Sequence, residues 1–210
     1  MAFEYRHVLN VSGPIKERDA FRTAHLLSSP RPGIVPQTVF DWSGLLPVPE
    51  ELRSGREETE QDGYDLYFGE DDARLEARKR LAALLPDGAA LTDLAFGDEL
   101  KRVAPELFAT AQRLREIKDR HGVTGREEWI ALHWGSGLPF ETQTDLQEES
   151  LMIYFRTEDR IPVPILTLLS RTYPLLHFDL EWIEEVEMTS GRVVATGGTV
   201  MEVDEKLENS

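Results

Sequence analysis

The chain has 210 residues, with 39 acidic and 23 basic side chains, a formal charge of −16 and 40% hydrophobic residues. It contains no cysteine, which excludes a disulfide scaffold, a thiolate zinc site, a cysteine-ligated iron–sulfur cluster and a cysteine nucleophile. The acid excess argues against a broad surface that tracks nucleic-acid phosphates, and no stretch approaches the ~20 apolar residues of a membrane helix.

The first element reads as a strand, because Tyr5, His7, Leu9 and Val11 alternate with Arg6, Val8 and Asn10. Ser12-Gly13-Pro14 punctuates it, and Pro14 suits the start of a helix over 15–27. Residues 28–36 read as a loop by composition, Thr38 to Trp42 as a short strand, and the prolines of Leu45 to Leu52 as an extended lead into a helical turn. The polar run 53–63, with Gly55 and Gly63, is expected to be a mobile loop.

Helices dominate 70–121. Glu70, Asp71 and Asp72 lead one helix and Arg78, Lys79 and Arg80 end it, an order that complements the macrodipole. Asp98 to His121 predicts one or two further helices, divided near Pro105 and stopped at Gly122. Thr124 with Glu127 reads as a capping box for a short helix carrying Trp129, Ile130 and His133, ended by Gly135-Ser136-Gly137. Strands follow over 140–146, 151–157 and 175–186, with a helix over 161–171. A hairpin around Gly197-Gly198 pairs 192–196 with 199–203.

Without its helical middle, the order is strand, helix, strand, strand, helix, strand, hairpin. That is the split βαβ order of an α+β ferredoxin-like plait, an antiparallel sheet with helices on one face. The expectation is a single domain over 1–210, with 28–137 as a large helical insertion after the first helix and the C-terminal hairpin as an addition. The opening residues lack the basic and apolar stretches of a secretory leader, so a cytoplasmic protein is expected.

Several motifs resemble the YubB-like family of phage- and plasmid-borne proteins, which carry a ferredoxin-like domain. They are Val8-Leu9-Asn10-Val11-Ser12-Gly13, Leu46-Pro47-Val48-Pro49-Glu50-Glu51-Leu52, Glu128-Trp129-Ile130 with His133-Trp134-Gly135-Ser136, and Tyr173-Pro174-Leu175 with Phe178. The pattern departs at Phe3-Glu4-Tyr5, at Leu138-Pro139-Phe140 where a second tryptophan would stand, and at Ser190-Gly191. The resemblance implies a mobile-element setting, where anti-defence and regulatory proteins are common, and it brings no catalytic residues.

No catalytic residue, metal ligand set or cofactor motif emerges from the residues. His7, His25, His121, His133 and His177 have no ligand spacing, although His7 and His177 fall on strands that neighbour each other in the plait and could pair. Trp129, His133, Trp134 and Gly135 form the most noticeable cluster. They either dock the insertion on the sheet or line a binding surface. Glu181, Glu184, Glu185 and Glu187, with Glu202 on the hairpin, belong to a 70-residue C-terminal segment holding 15 acids and 5 bases.

Two functional readings are therefore open. One is a non-enzymatic acidic protein that meets a protein partner, expected to be basic, through its acidic sheet surface; such a protein could modulate a nucleic-acid-handling or defence protein. The other is an enzyme or small-ligand binder using a pocket between sheet and insertion near Trp134 and His133. Direct nucleic-acid binding is not expected, and a homodimer through edge strands stays open.

Overall fold

Alternation in the first strand sets up the sheet. In β1 (Glu4–Ser12), His7, Leu9 and Val11 are buried on one face, while Arg6, Val8 and Asn10 lie on the other. The computed structural model describes residues 3–29, 37–53, 57–85, 91–158, 160–184, 186 and 189–206. The remaining elements are α1 (Ile15–His25), β2 (Leu26–Ser29), β3 (Gln37–Phe40), α2 (Glu50–Arg53), α3 (Glu58–Phe68), α4 (Asp71–Leu81), α5 (Asp93–Val103), α6 (Pro105–His121), α7 (Arg126–His133), β4 (Phe140–Leu146), β5 (Ser150–Glu158), α8 (Val163–Thr172), β6 (His177–Glu184), β7 (Thr189–Thr196) and β8 (Thr199–Lys206).

The fold is α+β. An open six-stranded sheet runs in the order β4-β5-β1-β6-β7-β8, every neighbouring pair antiparallel, and β2 and β3 form a separate antiparallel pair. The chain packs as two units, one from residues 1–48 with 130–210 and one from 49–129. The helical unit is thus narrower than the expected 28–137 insertion. Residues 37–48 and 130–137 belong with the sheet.

In the sheet unit, one face of the sheet is apolar and buried. Leu9 sits between Ile153 and Leu180, and Val11 between Leu151 and Phe178. Helix α1 contributes Phe21, which meets Phe178 edge-on at 5.5 Å and Phe40 at 6.1 Å. Helix α8 contributes Ile165, Leu166 and Leu169. Arg18 is buried, and its guanidinium donates to the carbonyls of Gly13 (3.1 Å), Gln147 (3.4 Å) and Glu148 (2.7 Å), tying the β1–α1 turn to the β4–β5 turn.

In the helical unit, Leu66, Ala77, Leu81, Leu85, Phe96, Leu100 and Leu107 form the core. The run 53–63 is corrected here. Residues 54–56 lie outside the described residues, but 58–68 is helix α3, begun where the Glu60 carboxylate accepts the Glu57 backbone N–H at 3.3 Å. Gly63 lies within α3, and α6 passes so close that a Cβ there would come within 2.7 Å of Leu107 Cδ1, which is why a residue without one stands at this position. The cap of α7 is also corrected. Glu128, not Glu127, accepts the backbone N–H groups of Thr124 and Gly125, each at 3.1 Å.

His7 and His177 do not pair. His7 is matched with Trp182 and lies on the covered face, whereas His177 is matched with Ser12 on the other. The Thr157 hydroxyl donates to Arg160 O (3.0 Å), so His7 Nε2–H donates to Thr157 Oγ1 (2.8 Å), and Nδ1 is buried without a partner. Burial pushes the His7 imidazole down from 6.5 to about 3.

The unfolded chain therefore binds a proton that the native state refuses between those values. Stability is held above pH 6.5 and lost as pH falls toward 3, at roughly 1.4 kcal/mol per pH unit. Between pH 7 and 5 the wild type should lose about 2 kcal/mol more than His7→Gln. Urea unfolding at the two pH values checks this, and equal losses would contradict it.

Candidate protein-binding surface

The sequence-predicted acidic cluster does not form one face. Glu181 is matched with Arg192 on the open face of the sheet and is exposed. Glu184, three residues along and so on the opposite face, is only 2% exposed, and its carboxylate accepts the Val186 backbone N–H at 2.8 Å. Glu202 is exposed but matched with Val193, on the covered-face side of the hairpin. Glu185 and Glu187 lie outside the described residues. The structure therefore separates the described acids of this set.

The tryptophan segment is internal. Trp129 and Trp134 are buried, His133 is half-buried, and Trp134 Nε1 donates to Leu46 O at 2.9 Å. Gly135 takes φ +86°, and a Cβ there would lie 2.7 Å from Pro164 Cδ and 2.9 Å from Ile161 O. The turn after α7 thus seats against the entry to α8, a structural role for both residues.

Another polar constellation, absent from the sequence reading, joins α1, β3 and α8. His25 Nδ1–H donates to Asp41 O (3.0 Å), so Nε2 accepts from the Tyr173 hydroxyl (3.1 Å). Burial lowers the His25 pKa, and burial together with the Glu17 carboxylate raises that of Tyr173. A tyrosine held neutral beside a histidine held neutral is a tie between elements. It lacks the charge of an activated nucleophile.

The pattern that distinguishes the molecule is in its cations. Residues 49–129 hold 20 acids and 13 bases. Nine described bases are in ion pairs: Arg53–Glu50, Arg74–Asp71, Arg78–Asp93, Lys79–Glu76, Arg80–Asp62, Arg102–Glu99, Arg113–Glu60, Arg120–Glu51 and Arg126–Glu127. The other three lie over aromatic rings: Lys101 at 4.3 Å from the Phe108 centroid, Arg115 at 4.9 Å from Phe68 and Lys118 at 5.5 Å from Tyr64. Only Arg56, outside the described residues, is not placed. His121 and then Arg120 hold the Glu51 carboxyl below its ordinary value.

An apolar opening on this unit, about 420 Å³, is lined by Leu66, Tyr67, Leu75 and Leu94 among Arg74, Arg78, Lys101 and three aspartates. All three of its bases are among those already engaged. Among the described residues there is no group of three or more His, Asp or Glu placed to hold a metal, and no helix is long and apolar enough to cross a membrane.

No family model and no curated protein match the chain. Among solved structures it is similar to the crystal structure of the protein api92 from Yersinia pseudotuberculosis, a DUF1281 protein, at 11% identity and a TM-score of 0.47 over 100% of this chain and 99% of that one. A likeness at that level carries no fold or functional assignment.

Two glycine replacements separate packing from backbone strain. Gly122 ends α6 at φ +78° with nothing within 4 Å of an added Cβ, whereas Gly135 has both the left-handed backbone and the collision. Gly122→Ala should cost about 1 kcal/mol and Gly135→Ala about 3 kcal/mol, measured by chemical denaturation. Equal costs would remove the assigned role of Gly135.

Proposed function

We propose that the chain is a non-enzymatic, acidic protein-binding protein whose partner is a basic protein. The observation that carries this reading is that every described cation of residues 49–129 is engaged by a carboxylate or a ring face of the same unit, while acids outnumber bases 20 to 13. An anionic ligand would have to displace an internal partner to reach a cation. A cationic surface meets carboxylates in excess. Complementary fields of this kind steer association and favour one partner class.

The acidity is spread over both units. Residues 1–48 with 130–210 hold 19 acids and 10 bases, an excess of nine beside the excess of seven in residues 49–129. The proposed contact is therefore the acidic surface at large, rather than the set Glu181, Glu184 and Glu202 alone.

We also read the sheet unit as a ferredoxin-like plait with a helical insertion. In support, β4-β5-β1-β6 is the interleaved strand order of a split βαβ unit, with α1 after β1 and α8 after β5, and the β7–β8 hairpin continues the sheet. The motifs shared with the YubB-like family favour a phage or plasmid setting, and a nucleic-acid-handling or defence protein as the basic partner.

The test is affinity capture from a bacterial lysate at 50 mM NaCl, followed by titration of each purified captured protein. Basic proteins should be retained, with affinity falling about tenfold between 50 and 300 mM NaCl as the Debye length shortens. Glu58→Lys with Asp72→Lys, both exposed, should weaken binding further, and duplex DNA should not be retarded on a native gel. Salt-insensitive binding or a DNA shift would contradict the proposal.

A further inference from the structure

The sheet face opposite α1 and α8 carries an apolar strip between acids. From β4 to β8, one row across it runs Gln143, Tyr154, Val8, Glu181, Arg192, and the next runs Asp145, Met152, Asn10, Asp179, Val194, Met201. The row on the other side brings Phe140, Arg156, Arg6 and Ile183, and Glu4 with Glu158 closes that end. Tyr154 and Met152 on β5 stand beside Val8 on β1, so these three side chains form a strip along the two strands. Tyr154 is 40% exposed, and Met152 and Val8 are half-buried.

Acids outnumber bases around this strip. Among the described residues, Glu4, Asp145, Glu158, Asp179 and Glu181 share the face with Arg6, Arg156 and Arg192, and Glu141 joins it through Arg156. Arg156 is paired with both Glu4 and Glu141. Arg192 grips Asp179 with two bonds, 2.7 and 2.5 Å long, and so holds that carboxyl below its ordinary value. Six carboxylates against three guanidinium groups leave the rim anionic after such pairing. Its acids also flank the strip. Asp145 stands on β4 to one side, and Asp179 and Glu181 stand on β6 to the other; Asp145 and Glu181 are exposed.

We propose that this strip docks an amphipathic, basic α-helix of the partner, laid along β5 and β1. The inference rests on the basic-partner reading above and gives that contact a place and a secondary structure. The widths agree. From β4 to β6 is three strand spacings, about 14 Å, and a helix with its side chains is about 10–12 Å across. An apolar stripe on such a helix meets Tyr154, Met152 and Val8, while Lys or Arg side chains on its two flanks reach Asp145 and Glu181. The rows from Arg6 to Asn10 span about 13 Å, the length of about nine helical residues. An acidic helix is repelled here, and an uncharged one desolvates the rim carboxylates without pairing them. A helix is also what this sheet takes on its other face, where α1 and α8 pack.

The probe is a synthetic helix of about 14 residues, leucine on one face and lysine on the other, titrated into the full chain at 50 mM NaCl. The expected result is saturable binding that shifts the Met152 methyl resonance of the unmodified protein far more than that of Met201, which lies on β8 away from the strip. This readout needs no variant to fold. Affinity should fall about tenfold at 300 mM NaCl, and a leucine–glutamate helix of the same length should not bind. Tyr154→Lys and Glu181→Lys, both at exposed positions, should each weaken binding at least tenfold, whereas Glu58→Lys with Asp72→Lys in the helical unit should weaken it less than threefold. No binding at 300 μM peptide, or binding that leaves the Met152 methyl unmoved and is indifferent to Tyr154→Lys, would overturn the proposal. Salt-weakened capture of basic proteins would survive either result, so the two readings fail separately.

Discussion

The disposition of the cations governs how this protein meets other molecules. In residues 49–129 each described Lys or Arg is bound to a carboxylate or lies over an aromatic ring. Most of these pairs are exposed and individually contribute little to stability, at most about 1 kcal/mol each. Their collective effect is on the outward field. A helix such as α4 satisfies its macrodipole with Asp71 and Asp72 at one end and Arg78, Lys79 and Arg80 at the other, yet four of those five charges are already paired. The charge that faces solvent is what remains after pairing, and it is negative.

The sheet adds the complementary constraint. Because β1 is central, its alternation decides what each face of the sheet can do. The Leu9 and Val11 face accepts α1 and α8, and the Arg6, Val8 and Asn10 face is left uncovered by them. One strand therefore supplies the core and also the centre of the opposite sheet face. Arg18 secures that arrangement from below by gripping three backbone carbonyls at two turns. A buried guanidinium needs such partners to offset its desolvation.

Much of this was legible in the sequence where the period was clear. The alternation of Tyr5 to Val11 and the strand expected over 175–186 located β1 and β6, and Gly197-Gly198 located the final hairpin. Helix α3 was hidden because its glycine answers to Leu107 on another helix, a contact that no local pattern encodes. The acidic cluster was misread as one face although a signal was present: Glu181 and Glu184 are separated by an odd number of positions, which in a strand places them on opposite sides. The pairing of Arg192 with Asp179 needed the strand order, since it joins β7 to β6.

Near-surface electrostatic potentials, measured residue by residue from the relaxation that cationic and anionic paramagnetic cosolutes induce in amide and side-chain protons, test the account most directly. The account predicts negative potentials across residues 49–129. A positive patch on the helical unit would contradict it.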